Sequence, residues 1–133
     1  MKITLVERKG KKQMLNKNAQ LWVDALRSGE YEQGRFALRT GDKLCCLGVA
    51  CELYQREVGG LSIEILEPFR SYNRLTLTLP EPVKDWLKLN STSGSYGDRS
   101  LTVDNDSGRT FEEIADIIES EPLGLFRKEE NAS

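Results

Sequence analysis

The sequence predicts a single α+β domain spanning residues 1–133, with about four helices packed on a small antiparallel sheet of about five short strands. Three observations point there. Apolar residues recur at helical spacing in four stretches and alternate in others, which separates helices from strands. Glycine, proline and asparagine punctuate the boundaries between these stretches. The chain has 133 residues, the size of one ordinary domain, and its 38% hydrophobic content suffices for one core.

The segment "LNKNAQLWVDALRSG" opens the structured part. Ala19, Trp22, Val23 and Leu26 share one helical face, Asn16 or Asn18 can cap the start, and Gly29 stands where the helix stops. In "YEQGRFALRTGDKLCC", two short apolar runs flank Thr40-Gly41-Asp42, which predicts a hairpin over 35–39 and 43–45. Residues 46–56 return to helical spacing through Leu47, Ala50, Cys51 and Tyr54, and Gly59-Gly60 ends that helix. "LSIEIL" and "RLTLTL" then alternate as strands. Leu61, Ile63 and Ile65 fall on one face, as do Leu75, Leu77 and Leu79, and the connection between the runs contains Pro68, Phe69, Tyr72 and Asn73. Pro82 suits the first turn of a short helix with Val83, Trp86 and Leu87 on one face. "NSTSGSYGDRS" reads as a mobile polar loop, "LTV" as a brief strand and "DNDSG" as a turn. Thr110 and Glu113 form a capping box that opens a helix over Phe111–Glu119, followed by a frayed acidic tail over 121–133.

Net charge is −2, so no overall basic field draws the chain to long nucleic acid. The charge is uneven. A basic segment, 1–12, carries Lys2, Arg8, Lys9, Lys11 and Lys12 against Glu7, whereas residues 111–133 are strongly acidic. No apolar run approaches the roughly 18 residues of a membrane span, and the N-terminus lacks the apolar core of a signal peptide. The expectation is a cytoplasmic protein with reduced thiols and no membrane partner.

Three cysteines and no histidine define the chemistry that is ruled out. A structural zinc site takes four Cys or His ligands, and the Cys46/Cys51 spacing fits no zinc pattern, so no metal and no cofactor is expected. Adjacent Cys45 and Cys46 cannot form an unstrained disulfide, and a Cys–His nucleophile is impossible. Cys46 and Cys51 fall near one stripe with Leu47, Ala50 and Tyr54, where small side chains and Gly48 allow a helix to approach a sheet closely. The corner at 45–47 could still offer backbone N–H groups to an anion. Asp104 and Asp106 mark a turn but miss the EF-hand spacing, and Gly94 and Gly97 do not make a phosphate loop. No catalytic constellation stands out among the abundant carboxylates, so binding is expected rather than turnover.

Basic and aromatic residues gather on two stretches. Arg70, Tyr72 and Arg74 lie in the first, beside Phe69. Tyr96, Arg99 and Arg109 lie in the second. Guanidinium forks suit phosphate and aromatic faces stack on bases, so these six form the candidate ligand site.

Four blocks in order, "LWVDALRSGEYEQG", "ALRTGDKLCCLGVACELY", "LPEPVKDWL" and "LTVDNDSGRTFEEIADIIE", resemble a widespread family of small proteins encoded by tailed phages and prophages. The resemblance spans residues 19–119 and carries no assigned function. Gly29, Tyr31, Gly34, Leu38, Cys46, Leu47, Gly48, Asn105, Asp106 and Gly108, which belong to the shared pattern, read as helix ends, turns and core. The resemblance implies a phage accessory product. It is similar in size and character to anti-defence sponges such as the Thoeris anti-defence proteins, which hold cyclic ADP-ribose isomers or cyclic oligonucleotides. The expected function is capture of a small phosphorylated, cyclic-nucleotide-type signal by a homo-oligomer. The alternatives are inhibition of a host protein through the charged ends and a carboxylate-dependent nucleotide-processing enzyme.

Overall fold

The helix caps form as their local chemistry dictates. A computed structural model describes residues 15–128; the basic segment 1–12 lies outside them. Helix α1 (Lys17–Arg27) starts on Asn16, whose Oδ1 accepts the Ala19 N–H at 2.9 Å. Gly29 follows its end at φ +80°. Helix α3 (Glu81–Leu87) has Pro82 in its first turn, and α5 (Phe111–Glu119) opens on the complete Thr110–Glu113 capping box.

Helix α2 (Cys46–Glu57) is the centre of the molecule. The expected single stripe is broader: every residue from Cys46 to Cys51 is buried. A helix apolar on all sides must be surrounded. Here α1, α3, the short α4 (Leu101–Asp106) and strand β3 (Lys43–Leu44) enclose it. Trp22 of α1 donates its indole N–H to the Cys46 carbonyl at 2.9 Å, and Tyr54 meets Trp86 edge to face.

The main sheet has five short strands in the order β1-β3-β2-β5-β4, adding β1 (Glu32–Gln33), β2 (Arg39–Thr40), β4 (Ile63–Leu66) and β5 (Phe69–Tyr72). The architecture is α+β, as the sequence predicts, but the sheet is mixed. β1 runs parallel to β3, and the other pairs are antiparallel. The cause is the 34–38 segment, which carries the chain over β3 to the far side, where β2 returns. Phe36 turns this segment with φ +68°, its N–H held by the Asp106 carboxylate at 2.8 Å.

Phe36 is 68% exposed, so little packing offsets a left-handed conformation that costs an L-residue roughly 1–2 kcal/mol. Phe36→Gly is therefore expected to stabilise the protein by about 0.5–1 kcal/mol, after the added freedom of the unfolded chain is subtracted. Urea unfolding checks this, and a lower midpoint would show that the ring packs.

Four expected elements are different. "RLTLTL" is not a strand: Asn73 and Arg74 both take positive φ, and Leu75 folds back to bridge Tyr72. Only Leu79 of its three leucines is buried. Phe69 to Tyr72, expected in a loop, form β5, paired with β4 across a tight Glu67–Pro68 turn. "LTVDND" is helix α4 rather than a strand and a turn, because Ser100 caps it and Leu101 and Asn105, one helical turn apart, both face the core. The expected mobile loop before it is an ordered hairpin, β6 (Ser95–Tyr96) with β7 (Arg99–Ser100). The described residues thus contain five helices and seven strands.

The stretch expected to fray from 121 is packed at its start. Leu125 is fully buried, Phe126 bridges Leu89, and the Arg127 N–H donates to the Lys88 carbonyl. Acidic residues of the C-terminal part also serve the fold, since Arg27 pairs with Glu112, Asp116 and Glu119 and ties α1 to α5. No helix among the described residues is long and apolar enough to cross a membrane.

All three cysteines are free and buried in the core. Burial pushes the Cys45 thiol up to about 11 and holds Cys46 and Cys51 well above the usual thiol range. Unfolded thiols ionise near pH 9, while the folded ones keep their protons, so the unfolded chain binds fewer protons there. Stability is therefore full below that pH and falls as pH rises between about 9 and 11. Unfolding midpoints measured at neutral pH and at about pH 10 should show the fall, about 1.4 kcal/mol for Cys45 alone. A flat profile would mean that the thiols reach solvent.

Candidate functional site

The six predicted residues do not converge on one site. They divide between two clusters, each built around a carboxylate, with two arginines left over. Arg70 and Tyr72 of β5 reach Glu52 in the middle of α2. Its Oε2 accepts from Tyr72 Oη at 2.5 Å, Arg70 Nη1 at 3.3 Å and Arg39 Nη1 at 3.4 Å. Burial, and then the hydrogen bond to Glu52, raise the Tyr72 hydroxyl far above its ordinary range, so it stays a donor. The Nε of Arg70 and the Oγ of Ser71 are buried without a hydrogen-bond partner. A cleft of about 210 Å³ opens beside this cluster, lined by Arg39, Asp42, Ile65, Pro68, Phe69 and Arg70 among others.

Tyr96 and Arg99 sit on the β6–β7 hairpin. Gly94 and Gly97 shape it with φ near +70°, and Ser91 Oγ accepts the Ser95 N–H at 2.8 Å. Both side chains reach Asp104 of α4, whose side chain is only 1% exposed. Arg99 Nη2 donates to Oδ1 at 2.8 Å, and Tyr96 Oη donates to Oδ2. Hydrogen bonds to Tyr96 and Asp104 keep Arg99 firmly charged, while burial and Asp104 raise the Tyr96 hydroxyl. The adjoining cleft is larger, about 390 Å³, and is lined by Ser95, Gly97, Asp98, Arg99, Ser100, Val103 and Asp104. The two clefts share no lining residue. Arg74 and Arg109 are exposed and reach neither cluster.

Asn105, which the sequence left among turns and core, and Gln33, to which it assigned no role, join these elements. Asn105 is fully buried; its Oδ1 accepts from Cys46 N and Gln33 Nε2, and its Nδ2 donates to the Gly34 carbonyl at 2.8 Å. This fills the corner at 45–47 that had been open to an anion, because an amide oxygen already takes the Cys46 N–H. The missed carboxylates carried one faint signal each. Glu52 interrupts an apolar run, and Asp104 follows a Ser100 that can cap a helix.

Fold and geometry together define an α+β domain with two arginine–tyrosine–carboxylate clusters, each beside a polar cleft. The chain belongs to the family described as Domain of unknown function (DUF8296), which it matches over residues 14–122. No curated protein and no solved structure matches it.

Proposed function

We propose that the protein is a binding protein that captures a small phosphorylated ligand of the ribonucleotide class in the cleft beneath the β6–β7 hairpin. The resemblance to phage-encoded proteins supplies the setting, a phage accessory product that withdraws a host defence signal. The observation that carries the reading is Arg99. Its guanidinium is half-exposed at a cleft of ligand size, yet it is oriented from behind by a buried Asp104 and by Tyr96. Such a group is preorganised for an anion, since its remaining donors are directed before the ligand arrives. Ser95, Ser100 and Asp98 add hydroxyls and a carboxylate suited to sugar hydroxyls. The cleft beside Glu52 is smaller than the roughly 300 Å³ that ligand sites begin at, and there one carboxylate oxygen already takes donors from both arginines.

Calorimetry against a panel of linear and cyclic ribonucleotides tests this. Arg99→Ala is expected to weaken binding by about 10- to 100-fold, the worth of a charged hydrogen bond. Arg70→Ala should leave it unchanged. Unaltered binding in Arg99→Ala would move the site elsewhere, and recovery of a cleaved ligand would make the protein an enzyme.

A further inference from the structure

Strand β4, at one edge of the main sheet, has no partner on its outer side among the described residues, and the polarity of that edge can be read from hydrogen bonds further in. Both backbone groups of Tyr72 are bonded to Leu75, the N–H donating at 2.8 Å and the C=O accepting at 3.0 Å. They therefore face away from β4. Ile63, the register partner of Tyr72, must accordingly turn its own N–H and C=O outward. The next pair along agrees, since Asn73 N donates to Ser62 O at 2.7 Å and Ser62 N to Asn73 Oδ1. Antiparallel alternation then assigns Glu64 and Leu66 to bonding with β5 and leaves Ile63 and Ile65 presenting donors and acceptors to the open edge.

That edge lacks the usual protection. It has no lysine, no proline within the strand and no bulge, and its only charge is Glu64. Ile65 is 62% exposed on one face, and the cross-strand pair Leu66 and Phe69 is exposed on the other. We infer that β4 pairs with β4 of a second copy of this chain, antiparallel, about a two-fold axis at Ile65. A second copy fits because an antiparallel edge is its own complement under two-fold symmetry. Charge selects the register. An axis at Glu64 would set Glu64 against Glu64 of the second copy, a destabilising like-charge pair. An axis at Ile63 would set Ile65 opposite Leu61, which is already buried in its own core. An axis at Ile65 places isoleucine against isoleucine and Glu64 against Leu66. The two sheets then form one continuous sheet of ten strands, and the hairpin clefts stay outside the seam.

Sedimentation of the full chain over a range of concentrations should show a monomer–dimer equilibrium. Ile65→Pro removes an N–H that serves only the outer edge, so it should give a monomer with unchanged circular dichroism. The native cysteines are buried, so an introduced thiol is the accessible one. Ile65→Cys should form a disulfide-linked dimer under mild oxidation, because directly opposed hydrogen-bonded residues stand about 5.5 Å apart at Cα, within disulfide reach. Glu64→Cys should cross-link far more slowly. A wild-type monomer at every concentration overturns the inference, as does a dimer that survives Ile65→Pro. Preferential cross-linking by Glu64→Cys overturns the register, and a monomer whose edge captures a strand of another protein overturns self-pairing. Arg99→Ala should leave the dimer intact, so failure here and failure of the ligand reading are separable.

Discussion

Gly48→Ala is expected to destabilise the protein by about 3 kcal/mol or more, against a typical whole-domain stability of about 5–15 kcal/mol. Helix propensity alone predicts the opposite sign, since alanine is favoured over glycine in a helix by up to about 1 kcal/mol. Packing decides the matter. A Cβ at Gly48 would lie 1.9 Å from the carbonyl oxygen of Leu38 and 2.9 Å from its carbonyl carbon. Those are backbone atoms, and they cannot swing aside. Leu38 O accepts the Cys45 N–H at 3.1 Å, Leu38 N donates to Thr76 O at 2.7 Å, and the Leu38 side chain is fully buried. Relief would require α2 to move away from the 34–38 segment, opening the centre of the core. Gly41→Ala is the comparison: Gly41 has φ +60° and nothing within 4 Å of its would-be Cβ, so it should cost only about 1 kcal/mol. Urea unfolding of the two variants side by side measures the difference. Equal losses would mean that backbone contact at Gly48 is not what fixes that residue.

The helix starts were legible in the sequence because capping is local chemistry. Asn16 and the Thr110–Glu113 box need only their own next three residues. Helix α4 was not legible. Thr102 and Val103 favour strands, and what makes the segment helical is a buried face, Leu101 with Asn105, that exists only once α2 is in place. The failed strand 75–79 has the same origin, because its alternation is genuine but a left-handed pair at Asn73 and Arg74 reverses the chain first. The candidate site shows the limit most clearly. Arg70 with Tyr72, and Tyr96 with Arg99, were visible as basic-aromatic neighbours. What organises each pair is a carboxylate from a helix, Glu52 or Asp104, and a lone acid in a helix looks like any solvated charge.

Asn105→Ala should be comparably damaging, by about 3 kcal/mol, and its consequences should reach the cleft. The substitution removes a partner from three polar groups at once. Cys46 N–H and the Gly34 carbonyl lose their side-chain partner, and Gln33 Nε2 keeps only the Arg109 carbonyl. Each buried group left unsatisfied costs about 1–3 kcal/mol, and the Cys46 peptide also receives the Trp22 indole, so α1 and α2 are loosened together. Asn105→Asp separates hydrogen bonding from volume. It keeps the accepting oxygen but replaces the donor with a carboxylate oxygen facing the Gly34 carbonyl and Asp106. The protonated acid can donate to Gly34, so the folded state should raise the new carboxyl above its ordinary value. A raised acid contributes its stability below the unfolded pKa, near 3.9, and loses it as pH rises through the folded one. The deficit of Asn105→Asp relative to wild type should therefore shrink on acidification, whereas that of Asn105→Ala should not. A pH-independent deficit in both would reduce Asn105 to a space-filling role. The neighbours of Asn105 extend the consequence to function. Asp104 orients Arg99 and Tyr96 at the hairpin cleft, and Asp106 holds Phe36 in its turn. A variant at 105 that still folds should thus bind ligand more weakly without touching it, because the carboxylate behind Arg99 is no longer fixed in place.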